Sequence, residues 1–252
     1  MVSWSAKRQF FYIGATIVVF IFALALPILF VTYKAPSCTD GVKNQEEQGI
    51  DCGGPCSVLC KASALDMVIH WQRSFRVKEG VYSAVAYVEN PNFEYGARNI
   101  SYRFKLYDKD NILIYQRDGS TFIPPRKIFG IFESNILTGA RVPARTFFEF
   151  SSVPVWEKTA VYEPILALTS KPPEDQSTSP HLTASVANRG LDPIYNVEVV
   201  AIVYDETSNA VAASRTIVDS VGKGVSVPLT FTWPEPFAAP VVRTELLYRV
   251  LP

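Results

Sequence analysis

The sequence lacks the features that nucleic-acid binding and common acid–base catalysis require. Lys plus Arg and Asp plus Glu both number 24, so the net charge is +0, and no basic run alternates with aromatic residues. Without a positive surface for phosphates, we expect no nucleic-acid partner. The only histidines are His70, in an alternating strand pattern, and His181, in a polar loop, and neither lies in a hydrolase motif. We therefore expect no enzyme, no catalytic residue and no bound cofactor.

Cysteine is absent after residue 60, and its four occurrences are Cys38, Cys52, Cys56 and Cys60. A segment this short cannot build a core by burial, and outside the cytoplasm closely spaced cysteines are oxidised. The spacing predicts two disulfides, with all three pairings open. The alternative is a tetrathiolate zinc site, which needs reduced thiols and usually shows C-x-x-C pairs.

The same segment is rich in oxygen-bearing side chains and glycine. These are Asp40, Asn44, Glu46, Glu47 and Asp51, with glycine at positions 41, 49, 53 and 54. Such a set is typical of a solvated loop that uses Asp, Asn and Gly for its turns. Calcium binding is the alternative, because carboxylate and amide oxygens are its usual ligands.

The segment resembles a short motif of exported, mostly bacterial proteins, C-x-D-G-x-x-N-x-x-E-x-G-x-D-C-G-G-x-C. The matching residues are Cys38, Asp40, Gly41, Asn44, Glu47, Gly49, Asp51, Cys52, Gly53, Gly54 and Cys56. The resemblance implies a secreted setting and no known chemistry.

Charged side chains are also missing from Gln9 to Tyr33. As a helix this stretch would measure about 37 Å, enough to cross a hydrocarbon core of about 30 Å. Lys7 and Arg8 flank one end and Lys34 alone flanks the other, which predicts a cytoplasmic N-terminus. Aromatic residues at both ends suit a membrane-interface belt: Phe10, Phe11, Tyr12 and Tyr33.

Two alternatives to a membrane anchor remain for this stretch. Ala23-Leu24-Ala25 fits the small-residue rule for signal-peptide cleavage, although the apolar run continues to Val31. Lipid attachment at Cys38 is a third interpretation, which the preceding Ala35-Pro36-Ser37 fits poorly. All three interpretations place the rest of the chain outside the cytoplasm.

The chain after Cys60 contains one internal repeat. Tyr87–Asn111 corresponds to Ser185–Asn209, with Asn90 matching Asn188 and Tyr107-Asp108 matching Tyr204-Asp205; farther on, Arg145-Thr146 matches Arg243-Thr244. In all three matches, the second-repeat residue follows its first-repeat counterpart by nearly the same number of residues. We therefore predict two tandem immunoglobulin-like β-sandwiches, and a mainly β fold class after one transmembrane helix and a disulfide-rich segment. The predicted boundaries are 1–8 (cytoplasmic N-terminus), 9–33 (transmembrane helix), 38–60 (disulfide segment), 64–158 (first sandwich) and 160–252 (second sandwich).

Period-two patterns define the central strand of each repeat. Ile100, Tyr102, Phe104 and Leu106 alternate with polar residues, which predicts one buried and one wet face, and Val197, Val199, Ala201 and Val203 alternate in the second repeat. Each strand ends in a turn motif, Tyr107-Asp108 or Tyr204-Asp205. We expect the carboxylates to accept hydrogen bonds from the turn amides, and the tyrosines to bury a ring while the hydroxyl finds a partner at the rim.

Phe104-Lys105-Leu106-Tyr107-Asp108 resembles the signature of the FxLYD family, immunoglobulin-like modules of exported bacterial proteins. The second repeat keeps only Tyr204 and Asp205, since Ala201 and Val203 replace the Phe and Leu. The resemblance implies a fold and an envelope setting but no activity.

One asymmetry between the repeats is a loop at residues 171–180, where the first repeat has only Lys78-Glu79-Gly80. It is either a specificity loop or an idle flexible one.

The expected function is that of a non-catalytic, membrane-anchored envelope protein that presents its sandwiches to protein partners. The alternatives are a structural subunit of a membrane or cell-wall assembly of the secretion or pilus type and, less favoured, a surface enzyme.

Overall fold

A computed structural model describes residues 4–32, 37–44, 46–159 and 165–252, with the backbone alone for 5–7 and 29–32. It is 52% strand and 11% helix, so the mainly β fold class is confirmed. The chain divides into two compact units, Met1–Cys56 and Ser57–Pro252. The predicted Tyr33 and Lys34 flank and the junction at 160–164 lie outside the described residues.

The first unit contains the helix α1, Trp4–Thr32. It begins before the predicted 9–33 because residues ahead of Gln9, Arg8 among them, are good helix formers. Arg8–Ile28 is long and apolar enough to cross a membrane, and none of it is buried. Pro27 lies inside the helix, and the Thr16 hydroxyl donates to the Tyr12 carbonyl at 2.8 Å. An uncovered apolar helix of this length fits a bilayer span or a signal sequence.

Within residues 57–159 and 165–252, the second unit contains a short 3₁₀ turn, Lys61–Ser63, and thirteen strands. The first seven are β1 (Val68–Lys78), β2 (Val81–Asn90), β3 (Tyr95–Tyr107), β4 (Leu113–Ile123), β5 (Lys127–Leu137), β6 (Arg145–Phe150) and β7 (Trp156–Lys158). The other six are β8 (Leu166–Ser170), β9 (His181–Asn188), β10 (Ile194–Tyr204), β11 (Ala210–Val221), β12 (Ser226–Thr232) and β13 (Arg243–Val250).

Every strand pairing is antiparallel, and each repeat forms two sheets. In the first repeat the orders are β1-β2-β5 and β4-β3-β6, with β7 added to β3. In the second they are β8-β9-β12 and β11-β10-β13. The same strand order therefore occurs in both repeats. Two antiparallel sheets in each repeat are what a β-sandwich requires.

Each sandwich has its own core between its two sheets. The first is built around the fully buried Phe104, Leu106, Phe129, Ile131 and Ile136. The second contains Leu182, Val186, Val197, Val199 and Phe231. The predicted inward positions of β3 and β10 all lie in these cores, because alternate side chains of a strand point to one face.

Candidate functional site

The cysteine segment is stabilised by disulfides, as predicted. Cys38 is bonded to Cys56, and Cys52 and Cys60 are also disulfide-bonded, so no cysteine is free. A tetrathiolate zinc site needs thiolates, so the zinc alternative is wrong for this oxidised segment. Sequence spacing alone left the pairing open.

The acidic residues of this segment bind its own backbone. Asp51 accepts the Gly41 amide with both oxygens, at 3.1 and 2.9 Å, and Asp40 accepts the Val42 amide at 2.9 Å. Hydrogen bonds, led by the one from the Asn44 side chain, hold the pKa of Asp40 below its usual value. Gly54 has a φ of +58°, and a Cβ there would lie 2.5 Å from the Glu46 carbonyl. These carboxylates and glycines have the arrangement that the turn interpretation needs.

The repeated Tyr-Asp motifs form two turns of the same design. Asp108 Oδ1 accepts the amides of Asp110 and Ile112 at 3.0 and 2.9 Å. Asp205 Oδ1 accepts those of Thr207 and Asn209, both at 2.9 Å. Both carboxyls have a lowered pKa, mainly through the Ile112 amide for Asp108 and the Thr207 hydroxyl for Asp205. Each aspartate therefore fixes the hairpin that follows the central strand.

The repeated asparagines make equivalent hydrogen bonds in the two sandwiches. Asn90 Nδ2 donates to the carbonyls of Tyr95 and Pro124, both at 2.8 Å. Asn188 Nδ2 donates to those of Asp192 and Val221 at 2.7 and 3.0 Å. Both side chains are buried. The sequence revealed the match but not the role, which is to join the end of one strand to the far sheet.

Among the described residues, the two histidines are each paired with acidic side chains. His70 Nε2 lies 2.8 Å from Glu89 Oε2 on the neighbouring strand. His181 lies 3.5 Å from Glu174 and 3.6 Å from Asp175. These are pairs of a histidine with exposed acids, and neither includes a serine, threonine or thiol that a base would activate.

The 171–180 loop is attached to the second sandwich. Glu174 and His181 exchange two backbone hydrogen bonds, of 2.9 and 3.2 Å. The Gln176 side chain accepts the Val241 amide at 2.8 Å, and the Gln176 carbonyl accepts the Phe237 amide at 3.1 Å. The loop thus covers the segment that precedes β13.

A third apolar cluster joins the two sandwiches. Phe75, Val85 and Phe132 on the outer face of β1-β2-β5 meet the outer face of β10 and β11. The residues contributed by the second sandwich are Val200, Ile202, Tyr204, Ala210 and Ala213. β10 is therefore buried on both faces, whereas its sequence was expected to bury one.

Close approach at this interface depends on a glycine. Gly130 of β5 faces Val200 of β10, and a Cβ at Gly130 would lie 3.3 Å from Val200 Cγ1. That separation is tighter than ordinary van der Waals contact, so the Val200 side chain would have to yield by a few tenths of an ångström to admit a Cβ at Gly130.

Polar contacts surround the apolar cluster. Tyr87 of β2 and Tyr204 of β10 donate to the two oxygens of Glu245, at 2.7 and 2.9 Å. Burial, and then the hydrogen bond to Glu245, raise the pKa of both tyrosines far above the usual value. Both hydroxyls thus stay protonated donors at neutral pH.

A buried ion pair lies at the other end of the interface. Arg249 of β13 is 6% exposed and pairs with Glu198 of β10, which is 2% exposed. Arg249 Nη1 also donates to Thr121 Oγ1 at 2.7 Å and to the Phe122 carbonyl at 3.2 Å, both in the first sandwich. The guanidinium therefore has partners in both domains, and its charge is compensated.

The interface was missed at the sequence level, although a signal was present. Residues Val197–Tyr204 read VEVVAIVY, in which the only charged residue is Glu198. A nearly continuous apolar run is typical of a strand covered on both faces. The equivalent run in β3 carries Arg103 and Lys105 and lies open on its outer face.

That open face forms a groove of about 340 Å³ on the first sandwich. Its lining includes Arg103, Lys105 and Tyr107 of β3 and Arg145, Phe147 and Glu149 of β6. Tyr107 and Phe147 pack edge to face with ring centroids 5.5 Å apart, and Phe147 is 50% exposed. We call this surface the β3–β6 groove.

A second cleft, of about 390 Å³, is bounded by both sandwiches. Its cations already have partners within the protein: Arg98 with Glu157, Arg126 over Phe93, Lys127 over Tyr248, and Arg249 with Glu198. Two of these four cations, Arg98 and Arg249, are paired with acids, whereas Arg126 and Lys127 lie over aromatic rings in a largely apolar cleft.

Comparison with models of known protein families finds no match, and comparison with curated proteins finds none either.

Proposed function

We propose that this protein is a non-catalytic, membrane-anchored envelope protein that presents two rigidly joined β-sandwiches to protein partners. The observation that carries the proposal is the third apolar cluster, with Tyr87, Glu245 and Tyr204 beside it. A linker alone would leave two sandwiches free to reorient. A packed apolar interface instead gives the unit one fixed set of surfaces, which is what a scaffold or docking protein needs.

The setting of the proposal rests on the first 60 residues. α1 is apolar enough to span a bilayer, and Arg8 with Lys7 on its N-terminal flank favours a cytoplasmic N-terminus. Disulfides persist in oxidising compartments, which supports an extracytoplasmic location for the segment after the helix. The likeness to the bacterial cysteine motif and to FxLYD modules supports a bacterial envelope.

A second candidate is a structural subunit of a membrane or cell-wall assembly. It is favoured by the way the sandwiches pack, with the β1-β2-β5 face of one on the β11-β10-β13 face of the next. Among the described strands, this arrangement leaves the β4-β3-β6 face of the first sandwich and the β8-β9-β12 face of the second uncovered by the other sandwich, which would let other subunits pack there. A surface enzyme is the least supported function, because the described titratable side chains form no nucleophile and base pair.

The test is made on the full chain in its own membranes. We expect it to resist alkaline carbonate extraction, to yield the intact α1 peptide by mass spectrometry, and to expose a C-terminal tag to protease only from outside. Gentle crosslinking should recover a reproducible membrane or envelope protein. A chain that begins near Leu26, or one recovered alone, would contradict the anchored docking function.

The proposed membrane orientation of the chain has its own test and control. The double variant K7E/R8E removes the positive flank, so it should reduce the fraction with an external C-terminus. Reversal of two exposed positive charges far from α1 in the sequence, as in K223E/R189E, should leave that fraction unchanged.

A further inference from the structure

The β3–β6 groove and the interdomain face of the second sandwich are equivalent surfaces, position by position. The strand registers align Tyr107↔Arg145 with Tyr204↔Arg243, Lys105↔Phe147 with Ile202↔Glu245, and Arg103↔Glu149 with Val200↔Leu247. In the second sandwich this face is covered by the β1-β2-β5 sheet of the first. In the first sandwich the same face is open.

The face of the second sandwich has a carboxylate at a position where the face of the first sandwich has none. In the second sandwich Arg243 lies over the Tyr204 ring at 3.7 Å and 3.4 Å from Glu245, which also accepts the docked Tyr87. In the first sandwich Phe147 stands at the position of Glu245. The face there has the tyrosine and the arginine but no acid at that position.

Arg145 consequently lacks a counter-charge. Its Nη1 donates to the neutral Asn111 Oδ1 at 2.6 Å, and among the described residues it takes part in no ion pair. The other cations are paired, Lys105 with Glu149 at 2.8 Å and Arg103 with Asp118 at 2.5 Å. The free cation therefore lies beside a half-exposed aromatic ring, a combination that suits a carboxylate next to an apolar side chain.

The edge of the groove suits an extended chain. β6 pairs with β3 alone in its sheet, so its other edge is unpaired among the described strands, with β1 of the facing sheet beside it. Strand addition would place alternate side chains of the added segment on the groove side.

A second copy of this chain is the poorer occupant. The face that would dock by the same geometry is the outer face of β8-β9-β12 in the second sandwich. Its outward side chains include Thr169, Thr183, Ser185, Thr230 and Thr232, which are uncharged. The acids at its edge, Glu174 and Asp175, already lie beside His181, so neither is a free carboxylate for Arg145.

We propose that the β3–β6 groove binds an extended acidic segment of another protein, with a carboxylate on Arg145 and a neighbouring apolar side chain on Phe147. This inference deepens the proposed docking function and rests on it. The acidic segment supplies to the first sandwich the charge that Glu245 supplies within the second.

The test uses the full chain in nanodiscs at low salt. The probe is a short fluorescein-labelled peptide of alternating glutamate and valine, and the matched peptide has lysine in place of glutamate. We expect saturable binding of the acidic peptide alone, weakened about tenfold or more by R145Q and by added salt. The matched control is R98Q, an exposed arginine at the other end of β3, which should bind as the unmodified chain does.

A second variant, F147S, should weaken binding without a change of charge. Circular dichroism of R145Q and F147S checks that both still fold, as expected for exposed positions. Absence of saturable binding at about 1 mM peptide overturns the proposal, since that limit corresponds to a negligible affinity. It is overturned equally if R145Q binds normally, if the lysine peptide binds as well, or if dextran sulfate binds through Arg145 and the peptide does not. None of these results bears on the anchor or on the joined sandwiches, which have separate tests.

Discussion

Tyr87 of the first sandwich donates a 2.7 Å hydrogen bond to Glu245 of the second, 158 residues later in the chain. Tyr204 donates to the other oxygen of the same carboxylate, so one acid joins a strand of each domain. Both hydrogen bonds are partly buried beside the apolar cluster, which makes the loss of either partner costly. Side-chain contacts therefore hold the two domains together.

Replacement of Glu245 by alanine should uncouple the sandwiches. E245A leaves two partly buried hydroxyls without their acceptor, which we expect to lower the free energy of unfolding by about 1–3 kcal/mol. Calorimetry should then show two transitions where the unmodified chain shows one. The matched control is E206A, an exposed glutamate of the β10–β11 turn, with an expected change within about 0.5 kcal/mol. Equal effects of the two changes would contradict a stabilising role for the hydrogen bonds to Glu245.

A side chain at Gly130 should push the sandwiches apart. G130V places methyl groups against Val200, and we expect overpacking to cost about 1–3 kcal/mol in urea denaturation. The compensating double variant G130A/V200A should be more stable than the sum of the two single changes predicts, because it restores the space. Strict additivity in this cycle would show that the two residues are not in contact.

Removal of Arg249 should be more harmful than removal of the whole pair. R249M strands the buried Glu198, which keeps only Arg215 at 3.4 Å, and we expect a loss of about 3 kcal/mol. R249M/E198L, which removes both charges, should lose less. R98M, at an exposed arginine, controls for the substitution itself. The expectation is measured by guanidinium denaturation, and it is contradicted if the double variant is the less stable.

Acid should weaken the Tyr-Asp turns. The ordinary pKa of an aspartate is 3.8, and that of folded Asp108 is lower because backbone amides bind its ionised form. The turn's contribution to stability is therefore present above pH 3.8 and is lost as the pH falls through the folded pKa. D108N should show a smaller drop in Tm between pH 7 and pH 3 than the unmodified chain. D219N, at an exposed aspartate of β11, should follow the unmodified chain; a D108N profile that also does so would refute the assignment.

Sequence patterns predicted the elements whose signal is local. The alternation at Ile100, Phe104 and Leu106 named core residues correctly, because a period of two reports burial on one side of a strand. The clustered cysteines predicted disulfides. The Cys38–Cys56 pairing could not be predicted, because the sequence does not distinguish among the three possible pairings of four cysteines.

The interface could not be predicted in the same way. The apolar run that contains Val200 and Ile202 indicates burial on both faces of β10, but nothing local shows that another domain covers the outer face. Their partners, such as Val85, lie more than a hundred residues away and look like ordinary strand residues. Glu198 would be assigned to solvent by its type, and only the three-dimensional structure places Arg249 beside it.

The way the chain enters the second unit determines how that unit would bear mechanical load. The Leu59 amide donates to the Trp156 carbonyl at 2.9 Å, and Val58 bridges to Glu157 on β7. A little farther on, Leu65 and Asn92 exchange two hydrogen bonds, of 2.9 and 2.8 Å. A pull from the N-terminal side would act on β7, which pairs with β3, through the first attachment, and would have to break both attachments before it acted on β1. Force on this side of the unit would therefore be shared between β7 and the start of β1 in the first sandwich.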